Sequence, residues 1–267
     1  MLAFPQFPTG SGAQYPVIKR RQGRTVVNEA RGGSQWKHGD FGAWRVEWEL
    51  DLRGLSEAEA ASVKALFDAC EGRYGTFCYL DPTANLLSRS EDLTAPEWVK
   101  DPLVQVTAAV SDPWGTARAA RLTNAGQTTQ ALWQTLLVPA QYAYTFSVWL
   151  RAPGALTARL FERSEGGEVS RELILGSAWS RQECRGRPGG PEDSVEFGLE
   201  IPAGGVVDAV GFQVEAQPGV SVYMRTAGAG GVYPSARFQD DVLSVTAEGP
   251  EAMRLKVRIG SPLQLGG

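Results

Sequence analysis

Between residues 44 and 52 apolar and charged side chains alternate without a break. Trp44, Val46, Trp48, Leu50 and Leu52 share one face, while Arg45, Glu47, Glu49 and Asp51 share the other. A period of two predicts a half-buried strand with a charged outer face. The period then changes. Ser56 stands three residues before Glu59, the spacing of a capping box, and Ala60, Val63, Leu66, Phe67 and Cys70 follow at helical intervals until Gly72. A second strand is expected over 76–80, where β-branched and aromatic residues run up to Asp81-Pro82. Much later come two more strand-like segments, 237–246 and 253–259, the second with Leu255, Val257 and Ile259 alternating against Arg254, Lys256 and Arg258. Two strands alone are marginal, so these are expected to pair with the sheet begun over 44–80.

The intervening chain has another character. Short apolar runs at 103–109, 117–122, 130–138, 142–151, 156–162, 171–175, 180–184, 195–201 and 209–215 are separated by turn residues, as in an antiparallel sandwich. The runs 144–150 and 210–215 read as long central strands of a jelly roll. The expected fold class is therefore mainly β: a discontinuous β-sandwich or barrel with one helix, interrupted by an inserted antiparallel sandwich. The boundaries expected are 1–83 and 233–267 for the split domain and 84–228 for the insert, with a glycine-rich connector at 227–235.

Length and composition agree with two domains. The 267 residues exceed one small core, and 31 Gly with 16 Pro favour turns over long helices. No apolar run is long enough to cross a bilayer, and residues 1–7 lack the basic start and apolar core of a secretory signal. The chain is expected to fold in a cytosol, stay soluble and need no membrane. Its net charge of −4 is interleaved rather than clustered, so nucleic acid is not an expected partner. Cys70, Cys78 and Cys184, odd in number and unpaired in spacing, read as core thiols. Residues 1–37 read as irregular, with a basic cluster at Lys19, Arg20, Arg21 and Arg24. They form either an arm for a neighbouring subunit or an ordinary solvated first hairpin.

Catalytic residues are few. His38 is the single histidine, in a glycine-rich polar loop with no nucleophile motif, and phosphate-loop and dinucleotide signatures are missing. Glu162, Glu165, Glu168, Glu196, Glu200 and Glu215 could in principle supply a glycosidase pair, but most of them fall on turns or solvent-facing strand positions and read as surface charge. No catalytic residue, cofactor or metal is assigned, and Asp112 and Asp193, the acids considered for Ca²⁺, read as solvated loop carboxylates. Aromatics crowd the insert: Trp98, Trp114, Trp133, Tyr142, Tyr144, Trp149, Trp179 and Tyr223. Most read as core. Trp114 and Trp179, beside turn residues, are the candidates for stacking on a sugar.

The opening Asn85, Leu86, Leu87, Ser90, Glu91, Asp92 and Trp98, with the closing Gly211, Gln213, Glu215, Gly219, Tyr223 and Thr226, resembles the two ends of a carbohydrate-binding-like jelly-roll module common in phage tail and tail-fibre proteins. The flanks resemble the ring-forming domain of distal tail or minor tail proteins of long-tailed phages. The matching stretches are 4–8, the 44–52 strand and its helix, 72–82 and 237–245. The resemblance implies a tail-tube-like carrier domain that forms a homo-oligomeric ring, a hexamer, between the tail tube protein and the hub and tip proteins. It places the protein in the virion tail tip, made in the bacterial host cytoplasm, with the insert facing host surface polysaccharide. Alternative roles are an adhesin whose main work is glycan binding, and a tail-associated glycosidase.

Overall fold

A computed structural model of the chain describes residues 1–39 and 43–263. An irregular segment leads to three short strands, β1 (Ile18–Gln22), β2 (Thr25–Glu29) and β3 (Gln35–Gly39). The next strand, β4 (Arg45–Leu55), buries Val46, Trp48, Leu50 and Leu52 and turns its charges outward. Trp44 departs from the expected pattern: it precedes the strand, is 40% exposed, and carries the Arg21 guanidinium 4.6 Å above its ring.

Helix α1 (Glu57–Ala69) begins at the expected capping box. Ser56 Oγ accepts from the Glu59 N–H, and the Glu59 carboxylate accepts from the Ser56 N–H at 2.8 Å. Ala60, Val63 and Leu66 face the sheet. Strand β5 (Phe77–Leu80) follows.

Ten strands come next: β6 (Val99–Lys100), β7 (Val104–Val110), β8 (Ala119–Asn124), β9 (Gln130–Leu136), β10 (Tyr144–Arg151), β11 (Leu156–Ser164), β12 (Gly167–Leu175), β13 (Ser180–Gly186), β14 (Val195–Ile201) and β15 (Val206–Glu215). They form two antiparallel sheets ordered β13-β10-β15-β8-β7 and β12-β11-β14-β9-β6. Apart from the β11–β12 hairpin, which stays in one sheet, consecutive strands from β8 to β15 alternate between the sheets in jelly-roll fashion, and β7 and β6 extend the edges. One core fills the space between the sheets. Within it Phe197 of one sheet meets Tyr144 and Phe146 of the other at ring separations of 5.3 and 6.0 Å.

The chain then returns to the first sheet with β16 (Val232–Phe238), β17 (Val245–Gly249) and β18 (Ala252–Pro262). The order is β1-β4-β18-β16-β5, with β17 on β18 and α1 packed over β4 and β18. A second core, separate from the first, gathers Phe4, Phe7, Trp48, Leu66, Phe77, Phe238 and Ile259. Two expectations need correction. Residues 237–246 are not one strand, because Asp240 and Asp241 turn outward to meet Arg258 and the Arg73 N–H and split it into β16 and β17. Val232 to Ser235, expected in the connector, belong to β16, where Tyr233 packs 4.6 Å from Trp48.

The residues at the two ends of the sandwich meet. Asn85, fully buried, donates to the Phe212 and Met224 carbonyls and accepts from the Leu87 and Val214 N–H groups. Ser90 exchanges backbone and side-chain hydrogen bonds with Thr226, its Oγ also lying 2.8 Å from the Tyr223 hydroxyl. Trp98 Nε1 donates to the Arg89 carbonyl. Each polar group satisfies backbone that the crossing of entering and leaving chain would otherwise leave unpaired.

The N-terminal segment spans both cores. Phe4 and Phe7 are buried in the split sheet's core, while Gln6 accepts from the Ala143 N–H at 2.6 Å and donates to the Ala143 and Ala216 carbonyls. Tyr142 donates its hydroxyl to the Phe4 carbonyl at 2.8 Å. Beyond it, β1 pairs with β4 and its basic residues find acids: Lys19 with Asp81 at 2.5 Å and Arg20 with Glu49 at 2.9 Å. Residues 18–37 are thus largely strand, not irregular, because alternate pairing and charge complementarity replace apolar burial there.

Candidate functional site

The outer face of the β13-β10-β15-β8-β7 sheet gathers the insert's unusual side chains. Antiparallel register points Thr145, Ser147, Trp149 and Arg151 of β10 to the same side as Arg181 and Glu183 of β13 and Gln213 and Glu215 of β15. Residues 216–226 lie across this face. Thr145 Oγ1 donates to the Gln217 carbonyl, Glu215 accepts from the Ser221 N–H, and Gln213 accepts from the Met224 N–H at 2.6 Å. Thr145, Ser147 and Gln213 are consequently buried although they point away from the sandwich core.

At one side of this crossing segment the rings meet. Trp114 stacks on Tyr223 with centroids 5.9 Å apart and planes 14° apart, and stands edge-on to Trp149 at 5.8 Å. Gly211, at φ +71°, lets Tyr223 approach; a Cβ there would lie 3.3 Å from its ring. Trp114 is presented by a tight turn. Asp112 Oδ1 accepts from the Trp114 and Thr116 N–H groups, each at 2.9 Å. Burial opposes ionisation of Asp112, but these bonds and those from the Thr116 hydroxyl and the Arg118 N–H prevail and hold its pKa at about 2. The Arg118 guanidinium lies 5.1 Å above the Trp114 ring, which remains 43% exposed.

Trp179 lies against the same face at another point. The Arg151 guanidinium covers it at 4.8 Å and donates to Asp208, which also takes a two-pronged contact from Arg121 at 2.7 and 3.1 Å. Trp114 and Trp179 therefore rest on residues two apart in β10, Trp149 and Arg151. Together they form an aromatic and guanidinium shelf. Sequence reasoning missed Trp149, Arg118, Arg121, Arg151, Arg181 and Asp208. The available signal was phase: Trp149 shares a face with Thr145, Ser147 and Arg151, which reads as core packing from the sequence, but those polar members mark the outward side of β10.

Other expectations resolve differently. Glu162 and Glu215 are buried, not solvent-facing. Glu215 holds the crossing segment on the outer face of one sheet. Glu162 points from the other sheet into the sandwich interior, so the two do not face one another as an acid and base pair. Glu168 and Glu200 bind Arg159 and Arg163 in a ladder at 2.7 to 3.0 Å across β11, β12 and β14. Asp112 is buried by its own turn rather than solvated, and Asp193 meets the terminal ammonium. His38 is exposed on β3. Cys70, Cys78 and Cys184 are free buried thiols, and burial raises all three pKa values, those of Cys78 and Cys184 to about 12. Among the described residues no cluster of three metal-ligating side chains occurs.

No protein-family model and no curated protein sequence matches the chain. Solved structures do match in outline. The carbohydrate-binding module TmCBM61, in complex with β-1,4-galactotriose, aligns at TM-score 0.38 and 18% identity over 49% of this chain and 97% of its own. The CBM22-1 xylan-binding domain of Paenibacillus barcinonensis Xyn10C aligns at 0.43 and 14% over 51% and 96%. The enzymatically active domain of tailspike protein 4 from bacteriophage CBA120 aligns at 0.40 and 11% over 51% and 22%. The chain is similar to carbohydrate-binding-module jelly rolls and to a phage tailspike domain, at a level that identifies neither ligand nor partner.

Proposed function

We propose that the chain is a structural subunit of the tail tip of a long-tailed phage or phage-like particle, made in the bacterial host cytoplasm. The split sheet-and-helix body assembles with copies of itself as a hexameric ring joining tail tube to hub and tip proteins. The sandwich faces outward onto host surface polysaccharide.

The observation that carries this reading is the β2–β3 hairpin. All ten strand residues are exposed, among the described residues the two strands pair only with each other, and Val26, Val27 and Trp36 are 48, 50 and 67% exposed. A free-standing two-stranded hairpin is marginal in water, and exposed β-branched and indole groups on it are stabilised by a partner surface. A repeated copy supplies that surface at every position of a closed ring. The charged outer face of β4 adds little to this argument, because Arg20 with Glu49 and Arg254 with Asp51 already pair within the chain.

Native mass spectrometry of the purified chain is the direct test. A ring that collapses to monomer when residues 24–39 are replaced by a short glycine-serine turn supports the reading; a monomer at high concentration, or a ring indifferent to the replacement, overturns it. A second reading, in which glycan adhesion is the main role, is favoured by the exposed Trp114 shelf. Glycan-array binding lost in Trp114→Ala, by a chain that stays monomeric, would select it.

A further inference from the structure

An open groove adjoins the Trp114 shelf, and Arg118 belongs to both. It encloses about 210 Å³ between the turn at residues 91–94 and the β7–β8 pair, with Arg225 also on its wall. A cavity of about 150 Å³ accommodates benzene, so the groove has room for one six-membered sugar ring. Small residues make that room: Ala108, Ala109, Ala117, Ala119 and Ala120 line it where longer side chains would fill it. A β-bulge sets two of them in place. The β7–β8 register shifts between Thr107 and Val110, and within the bulge Ala109 takes a positive φ of 62°. Alanine seldom adopts that conformation, and residues held in it gather at ligand clamps and active sites.

The donors on the wall are fixed from behind. Glu91, its side chain 6% exposed, faces Arg118 Nη1 at 3.1 Å and Arg225 Nε at 2.8 Å, and accepts from the Tyr223 hydroxyl at 3.2 Å. Arg118 Nε donates to Thr116 Oγ1 at 3.0 Å. Among the described residues, Arg118 Nη2 and both Nη groups of Arg225 have no hydrogen-bond partner, and the two side chains remain 37 and 57% exposed. Each therefore reaches solvent in the groove. The 91–94 turn adds an acceptor, because Asp92 is exposed and its Oδ1 takes the Thr94 N–H and hydroxyl at 3.2 and 2.6 Å. The bond from the Thr94 hydroxyl leads in holding the Asp92 pKa below its ordinary value, and the ionised carboxylate has lone pairs to spare. Below these groups the lining is apolar: Leu93 and Ala120 belong to the sandwich core and Val106 packs against it.

Charge selects among ligands. Two guanidiniums here accompany three carboxylates: Glu91, Asp92 and Asp112, the last 3.5 Å from Arg118 Nε. A further anion gains no unmatched positive charge, whereas a sugar hydroxyl accepts from a guanidinium N–H and donates to a carboxylate. We propose that this groove is a subsite for one neutral pyranose residue of a polysaccharide, its ring against Leu93 and Val106 and its hydroxyls held by Arg118, Arg225 and Asp92. The exposed Trp114 ring beneath Arg118 continues the surface for the next sugar of the chain. The proposal rests on the reading of the sandwich as glycan-contacting and gives the place of contact and the class of glycan.

Amide chemical-shift titration of the full chain by NMR tests it, with D-glucose, D-galactose, D-mannose, L-rhamnose and N-acetyl-D-glucosamine added separately to tens of millimolar. At least one is expected to give saturable shifts at the Thr94, Ala108, Ala109 and Arg118 amides. D-glucuronate and D-galacturonate are expected to bind severalfold more weakly than the corresponding neutral sugars. Ala117→Leu fills the groove from an exposed position and abolishes the shifts, and Arg225→Ala weakens binding roughly tenfold. Unshifted amides in the split sheet show that both variants stay folded. No saturable shift with any neutral sugar, binding indifferent to Ala117→Leu, or tighter binding of the uronates overturns the proposal. Shifts confined to the Trp149 and Trp179 amides overturn it and leave glycan contact at the shelf standing, while silence across a polysaccharide array removes the glycan reading as well.

Discussion

Glu162 illustrates how far one side chain can set the behaviour of a β-sandwich. It is fully buried between the sheets, no ion pair reaches it among the described residues, and Tyr144 and Cys184 are titratable groups that sense its charge. Desolvation raises its pKa to about 9, and the Phe146 backbone offsets only part of that. The folded state therefore keeps a proton that the unfolded chain releases near the ordinary value of 4.5. Stability from this group is full below that value and is lost as pH rises towards 9. Thermal melts between pH 5 and 9 should fall for the parent and flatten for Glu162→Gln, with the variant the more stable at pH 8 by ~2 kcal/mol or more. A parent melt that does not decline over that range counts against the buried-acid account. Gly211→Ala, at φ +71° beneath Tyr223, should cost about 1–2 kcal/mol in denaturant unfolding. The sequence reading placed Glu162 on the surface because alternation says which residues share a face, not which face is buried. The run Ala158, Leu160, Glu162 is the inward one, and its apolar members were the available clue.

At the scale of elements, legibility follows the strength of the period. Strand β4, helix α1 and strand β14 were readable because each buries one face against a core, so hydrophobic spacing and structure have the same cause. The capping box belongs to this class. Ser56→Ala should remove the Oγ bond to the Glu59 N–H and lower the melting temperature by ~2 °C, for a loss of about 1 kcal/mol. Strands β2 and β3 gave no such signal, since every residue in them is exposed and pairing alone defines them. Strand β6, two residues long, is held by the edge of β9 and has no pattern of its own. Membership of the Trp114 shelf was half legible: the loop tryptophans stood out and Arg118 shares the turn of Trp114, but Trp149 and Arg151 come from β10, distant in sequence, and meet them only in the folded sheet.

The whole molecule is two cores joined by more than a linker. Gln6 reads the backbone of Ala143 and Ala216 from a segment whose phenylalanines are anchored in the other core, so the sandwich is oriented and not merely tethered. Gln6→Ala should leave each core intact yet speed hydrogen exchange of the Ala143 amide by roughly tenfold or more, for a loss of about 1–3 kcal/mol in local opening. Unchanged exchange would show that Tyr142 and Phe4 suffice. The same layout has a consequence for how such a chain changes over time. Where the sandwich begins and ends, Gly231 donates to the Asn85 carbonyl at 2.8 Å and Asp81 donates to the Gly231 carbonyl at 2.9 Å, so entry and exit are hydrogen-bonded neighbours. The ends of β5 and β16 already form the two sides of a hairpin. To the first sheet the sandwich is therefore an elaborate turn, and a four-residue loop in its place closes the same ladder. A lineage can exchange this socketed cassette for another, or lose it, without redesigning the body that holds it.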